Sequence, residues 1–360
     1  MYRPRMDRAR ARMADLGVDA LCVSVGPDLP YLTGYTAPPL ERLTMLVLPR
    51  DGDAVLIVPE LEAPRVADPA GAFSIRPWTE TEDPARLVAD RLPVTGVAAV
   101  GDQTWARFVL ALEAARPTLR FVPANRVTAP LRVVKDEAEI EALRRAATAV
   151  DEIAATLRKR PFGGRRERDV AREVVDRMLD LGHERANFAI VASGPNGASP
   201  HHDPADRVIQ AGDVVVCDFG GTMDGYCSDI TRMYAVGAPA AEIRDDYAVL
   251  QEAQEAAVRA ATVGTPCAEV DAVARGVLAS AGLDGFFVHR TGHGIGMEAH
   301  EDPYLVAGNA GALEAGNVFS VEPGVYRPGR FGLRLEDIVV ATEDGPRRLN
   351  GAPRDLAIVG

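Results

Sequence analysis

A chain of 360 residues that is 47% hydrophobic and 26% charged can bury one large core or two ordinary ones, which excludes an intrinsically disordered protein. A formal net charge of −12 argues against a partner with a phosphate backbone, so no nucleic-acid role is expected. Four cysteines (Cys22, Cys217, Cys227, Cys267) form no Cys-x-x-Cys pair and read as buried apolar residues. No run approaches the roughly 18 apolar residues that span a bilayer, and no signal-peptide core follows the basic N-terminus, so a cytoplasmic protein with no membrane partner is expected.

In chain order, Met6, Met13 and Leu16 share one face of a first helix whose other side carries arginines. Residues 21–25, 45–48 and 55–58 read as strands between Gly, Pro and Asp punctuation, and 83–92 and 103–115 as helices. Residues 1–130 are therefore expected to form an N-terminal α/β domain. It holds little chemistry, because the first histidine is His183. A boundary near Pro130 opens a second domain, 131–360. There Asp136 and Glu139 have capping-box spacing ahead of an apolar helical face formed by Ile140, Leu143, Ala147, Val150, Ile153 and Leu157. A helix at 166–181 and strands at 187–192 and 213–219 follow. The order then recurs, with helices at 242–261 and 267–281 and strands at 286–289, 318–321 and 333–341. Two helix-helix-strand units in succession suggest an internal duplication, on order alone.

Five of the six histidines fall in two clusters, His201 with His202 and His289 with His293 and His300, beside glycines and carboxylates. Val214-Val215-Val216-Cys217-Asp218-Phe219 reads as a buried strand that returns through 226–234. Taking 222–225 as a four-residue loop sets Asp218 opposite Asp229, with Cβ atoms about 4.5–5.5 Å apart. Two carboxylates so placed repel each other unless a proton or cation lies between them. An ordinary hairpin with exposed aspartates is the weaker reading, because the valine run argues burial. The Gly-x-Gly-x-Gly string around His293 lacks a Walker lysine and dinucleotide spacing, and instead lets the backbone approach a ligand site closely. Glu322 and Glu336 each lie on a strand or at its end amid apolar residues, and Arg334 shares the face of Glu336. Two Asp, one His and two Glu suit two divalent ions of manganese or cobalt type rather than a structural zinc site.

The ordered set Asp218, Asp229, Gly-His293-Gly, Glu322-Pro-Gly and Arg334-x-Glu336 resembles the pita-bread metallopeptidases, close to prolidase (Xaa-Pro dipeptidase) and aminopeptidase P. Tyr31-Leu32-Thr33-Gly34-Tyr35 is similar to a segment of the creatinase/prolidase-like N-terminal domain, and residues 193–201 to a loop carrying a substrate histidine. The resemblance covers nearly the whole chain. It implies an α/β domain followed by an α+β pita-bread (creatinase/aminopeptidase-like) catalytic domain of two pseudo-symmetric halves, usually as a homodimer. It implies that Asp218 holds one ion and His293 and Glu322 the other, with Asp229 and Glu336 bridging. The ions are expected to be manganese, with cobalt or zinc as substitutes. By the same resemblance Glu322 handles protons as water attacks the scissile carbonyl, His201 and His300 steady substrate and oxyanion, and His289 and Arg334 line the pocket. His201 is preferred because it directly follows Pro200; His202 is the alternative. The implied substrate is a small peptide with proline second. An aminopeptidase acting on longer peptides, a non-peptidase hydrolase or lyase on the same fold, and an idle binding protein are the rivals; the complete ligand set argues against the last.

Overall fold

The computed structural model describes residues 2–67 and 71–360. Its contacts divide into two units, Met1–Arg132 and Val133–Gly360. Among the described residues, the first unit holds a six-stranded sheet of β1 (Ala20–Val23), β2 (Met45–Pro49), β3 (Val55–Pro59), β4 (Ser74–Trp78), β5 (Gly96–Val100) and β6 (Leu119–Pro123), in the order β4-β3-β2-β1-β5-β6. β2 runs antiparallel to both its neighbours and the other pairs are parallel. The helices are α1 (Tyr2–Leu16), α2 (Asp28–Thr33), α3 (Pro84–Ala89), α4 (Ala106–Ala115) and α5 (Asn125–Val133). Cys22, Val47 and Ile57 of the sheet pack with Val88 of α3 and Phe108 and Leu112 of α4, which gives the α/β class expected. α5 runs through Pro130.

In the second unit, α6 (Glu137–Leu157) starts on the anticipated capping box: Asp136 accepts from the Glu139 amide and Glu139 from the Asp136 amide, both at 2.9 Å. α7 (Glu167–Asp180) leads to β7 (Arg185–Ser193), β8 (Val214–Met223), β9 (Tyr226–Cys227) and β10 (Ile230–Val236). α8 (Ala241–Ala260) and α9 (Cys267–Ser280) lead to β11 (Gly292–Gly294), β12 (Glu301–Leu305), β13 (Val318–Val321), β14 (Gly324–Arg327), β15 (Phe331–Arg334), β16 (Asp337–Thr342), β17 (Gly345–Arg348) and β18 (Ala357–Val359). One sheet is ordered β18-β10-β8-β7, with β9 on β8; another is β12-β11-β13-β16-β17; β14 pairs β15. Val150, Ile153 and Leu157 of α6 and Val170 and Val174 of α7 cover Val215, Cys217 and Phe219. Ala257, Val258, Val270 and Ala274 of α8 and α9 cover Phe319, Val321 and Val339 in the same manner.

The duplication is written in the hydrogen bonds. At the start of α7, the amides of Gly164, Glu167 and Arg168 donate to the carbonyls of Ile209, Arg207 and Ala205. At the start of α9, those of Gly264, Cys267 and Ala268 donate to Leu313, Gly311 and Asn309. The bridges Arg166↔Val208 and Pro266↔Ala312 complete the match. Six residues after each bridge a central strand begins, β8 at Val214 and β13 at Val318, which makes Asp218 and Glu322 counterparts. The backbone repeat survives where side-chain identity does not.

Two expected strands differ. Residues 286–289 are not a strand: Asp284–Phe286 is a 3-10 turn, and Arg275 takes the carbonyls of Phe287 and His289 that a neighbouring strand would have used. The expected 333–341 strand is two, β15 and β16, broken where Glu336 bridges to Thr231 of β10. The cysteines are free and buried, as read from their spacing. No helix among the described residues is long and apolar enough to cross a membrane.

Candidate active site

Asp218 sits within β8, flanked by Ile190 of β7 and Thr231 of β10. It is not opposite Asp229 as the sequence reading had it. The turn has two residues, Asp224 and Gly225, with φ of 52° and 78°, and Met223 already pairs with Tyr226. Asp-Gly is a strong signal for a two-residue turn of this hand, and the four-residue loop overlooked it. Because the side-chain period of a strand is two, the corrected register keeps Asp229 on the same face as Asp218, one diagonal step away.

His293 lies at the centre of β11 between Gly292 and Gly294. A Cβ on Gly292 would meet the Ser320 carbonyl oxygen at 1.9 Å, and one on Gly294 the Asp302 carbonyl oxygen at 2.2 Å. The glycines therefore let neighbouring backbone approach, where the sequence reading had assigned them to a ligand. The Nδ1–H of His293 donates to the Gly294 carbonyl at 3.1 Å, which turns Nε2 toward Glu322 Oε1 at 3.2 Å and Asp229 Oδ2 at 3.8 Å. Glu322 follows β13 directly; its amide donates to the Thr291 carbonyl at 2.8 Å and its carboxylate accepts from Ser320 Oγ at 3.2 Å. Glu336, at the break between β15 and β16, accepts from Thr231 Oγ1 at 2.8 Å.

The charges in this cluster are unbalanced. Burial, and then the charges of Glu336, Asp218 and Glu322, pushes the Asp229 carboxyl well above its ordinary value; burial, then Glu322 and Asp218, does the same to Glu336. Burial would also raise Glu322, but His293, His289 and Arg334 hold it down to about 2. Three buried carboxylate oxygens, Asp218 Oδ1, Asp229 Oδ1 and Glu336 Oε1, have no hydrogen-bond partner among the described residues. Ligand atoms of Asp229, His293 and Glu336 all lie within 4.8 Å of one another. Oxygens left bare beside an imidazole nitrogen, in a site this short of positive charge, fit divalent cations.

The expected substrate residues surround this cluster. One cleft of about 540 Å³ is lined by Asp218, Asp229, His293, Glu322 and Glu336, and also by His201, His289, His300 and Arg334, with Phe188, Ile190 and Pro200 as an apolar wall. All nine residues singled out from the sequence meet there. His202 is not on the wall; its Nε2 lies 3.1 Å from Glu167 Oε2. The His300 ring packs on His293 with centroids 4.0 Å apart. Its Nδ1 accepts from Arg290 at 3.4 Å, which leaves Nε2 to carry the hydrogen. Burial of the ring face, then the charges of His293 and Arg290, pushes His300 down to about 4, so it is neutral near pH 7.

Two supporting residues, Thr231 and Tyr326, escaped the sequence reading. Arg334 reaches Asp218 Oδ2 at 2.5 Å, Thr231 Oγ1 at 3.2 Å and Tyr326 Oη at 2.6 Å. His289 Nδ1–H donates to the Arg290 carbonyl at 2.8 Å, so its Nε2 accepts from Tyr326 Oη at 2.9 Å. Arg334, Tyr326 and His289 thus form one oriented chain along the cleft. Thr231 carried a local signal, a polar residue within a fully buried strand; Tyr326 carried none.

The chain is similar to known proteins over its whole length. The model of metallopeptidase family M24 matches residues 139–343, and that of the creatinase/prolidase N-terminal domain matches residues 5–134. The chain is 45% identical to a probable dipeptidase PepE of Mycobacterium tuberculosis, over 100% of its own length and 97% of that protein. It is 32% identical to a Xaa-Pro dipeptidase of Lactobacillus delbrueckii subsp. lactis, over 98% of each chain. Among solved structures, a recombinant prolidase from Thermococcus sibiricus superposes with a TM-score of 0.94 at 35% identity, over 100% of this chain and 99% of that one.

Proposed function

Since the chain belongs to metallopeptidase family M24, we propose that it is a cytoplasmic, homodimeric Xaa-Pro dipeptidase working with two divalent ions, manganese first among them. The observation that carries this reading is the trio of bare carboxylate oxygens on Asp218, Asp229 and Glu336, in the cleft that also holds the histidines. Asp218 would hold one ion, His293 and Glu322 the other, and Asp229 and Glu336 would bridge. When bound, the ions supply Lewis-acid polarisation of the scissile carbonyl and make the attacking water more acidic.

The chain's own residues do the rest. Glu322 accepts a proton from the water and passes it to the departing proline nitrogen. His300, neutral with hydrogen on Nε2, donates to the oxygen where negative charge develops, and His201 steadies the substrate from the facing wall. Proline has no amide hydrogen and a fixed φ, so peptidases that grip that hydrogen cannot use it. Phe188, Ile190 and Pro200 offer the ring an apolar surface instead. Arg290 favours a dipeptide: its guanidinium lies over the Tyr304 ring at 4.4 Å and donates to His300 Nδ1, and among the described residues no carboxylate pairs with it, so donors remain for a C-terminal carboxylate. We assign the chemistry to residues 131–360 alone, which contain every residue of the cleft, and the buried thiols support a reducing compartment.

The test is hydrolysis of Ala-Pro and Ala-Pro-Ala side by side, with manganese and with a chelator, followed by mass spectrometry. Chelator-sensitive cleavage of Ala-Pro in preference to the tripeptide is the expected result, and Arg290→Met should raise KM for Ala-Pro about tenfold more than KM for the tripeptide, any loss through His300 being common to both. Preference for the tripeptide would make the enzyme an aminopeptidase. Cleavage of neither by metal-loaded protein would move it to another hydrolysis or elimination on the same frame.

A further inference from the structure

Glu167 lies in the first turn of α7, outside the cleft lining, and is fully buried. A buried carboxylate needs all its acceptor sites filled. Here the donors come from one segment. Oε1 accepts from the Ser193 amide and hydroxyl, both at 2.7 Å, and from Asn196 Nδ2 at 3.1 Å; Oε2 accepts from Asn196 Nδ2 at 3.0 Å, His202 Nε2 at 3.1 Å and the Ala205 amide at 3.2 Å. Burial works against the charged form, yet these bonds hold the carboxyl below its ordinary range.

The segment so gathered carries His201. Its two neighbours are both tied: His202 to Glu167, and the Pro200 carbonyl to Arg334 Nη1 at 3.3 Å. The other half of the unit uses the same device. Asp271 of α9 accepts from the Thr291 amide at 3.1 Å and hydroxyl at 2.8 Å, as Glu167 does from Ser193, and Thr291 stands two residues before His293. In each half, then, an acid on the second helix fixes the hydroxyl residue from which a histidine-bearing segment departs. Glu167 reaches further, to Asn196, His202 and Ala205.

We infer that Glu167 is a positioning residue that acts on substrate through His201, by clamping residues 193–205 from behind; this rests on the proposed reading of His201. Glu167→Gln keeps the volume but turns one acceptor into a donor facing donors. It should lower kcat/KM on Ala-Pro about tenfold, inside the roughly hundredfold that a 1 Å misplacement can cost, with metal content unchanged. In a His201→Ala background the same change should cost nothing further, since nothing is left to position. An equal loss in both backgrounds overturns the inference. If Glu167→Gln does not fold, His202→Ala cuts one tether only and should show a smaller loss that likewise vanishes without His201. A readout apart from turnover is histidine-labelled NMR of the manganese-free protein. The His201 ring signals should broaden or split in Glu167→Gln, while those of His183, held by Met178 and Ser228, stay in place. An unmoved His201 signal overturns the inference whatever the enzyme cleaves, whereas a wild-type protein that leaves Ala-Pro intact overturns only the proposed function.

Discussion

The two halves of the second unit share a backbone plan but bring unequal chemistry. The first offers Asp218 and Asp229, both carboxylates. The second offers Glu322 at the position of Asp218, then Glu336, and adds His293 and Arg334. The second half balances its own Glu322 with His293 at 3.2 Å and lends Arg334 to Asp218. Asp229 receives less, with His293 Nε2 no nearer than 3.8 Å, and burial and its neighbouring carboxylates push its carboxyl upward. Duplication supplied a symmetric frame; the donor set then diverged so that the halves are complementary to a cation and not to each other.

The comparison breaks most completely at Asp229. Asp229→Ala removes the oxygen facing both halves, and turnover should fall by more than the roughly hundredfold that losing an outer partner of a metal ligand costs, together with bound manganese measured by elemental analysis. Near-normal turnover in a folded, metal-loaded variant would refute the bridging role. His300→Ala tests the second half's other contribution, a neutral donor on the rim. It should cost about a hundredfold to a thousandfold in kcat with metal content intact. Loss of metal instead would place His300 among the ligands.

How much of this was legible follows from how local each signal is. The capping box at Asp136 and Glu139 is a contact between residues three apart, and it was read correctly. The hairpin face was read correctly for an instructive reason. The turn length was wrong, but the error moved Asp229 along the strand by a whole side-chain period, so the carboxylates stayed on one face. An error of one residue would have sent Asp229 to the other face. The strand expected at 286–289 failed because Phe287 looks like strand material, yet Arg275, from α9, claims its carbonyl. Glu167 and Tyr326 hold partners brought to them by the fold, and no periodicity marks such residues in advance; Thr231 differed only in being a polar residue within a buried strand.

The smallest effect sharpens the comparison by separating strain from binding. In protein stripped of ions by a chelator, Asp229 and Glu336 are pushed well above ordinary carboxyl values, first by burial and then by neighbouring carboxylates. A group that holds its proton more tightly folded than unfolded contributes stability that is complete below its unfolded value, near 4, and is lost as pH rises through the folded one. Lowering the pH from 7 to 5 should therefore raise the Tm of the chelated wild type relative to Asp229→Asn, which has no such carboxyl there. A few °C is the expected size, what about 1 kcal/mol is worth in a domain of this length. Glu322, held down to about 2, works in the opposite sense, but only below its ordinary 4.5 and outside this window. With manganese bound the sign reverses, because the ligands must be deprotonated to hold the ion, and the same acidification should lower Tm. Parallel Tm profiles for chelated wild type and Asp229→Asn would mean that the first half's carboxylate carries no strain, and that the two halves are matched without the ions.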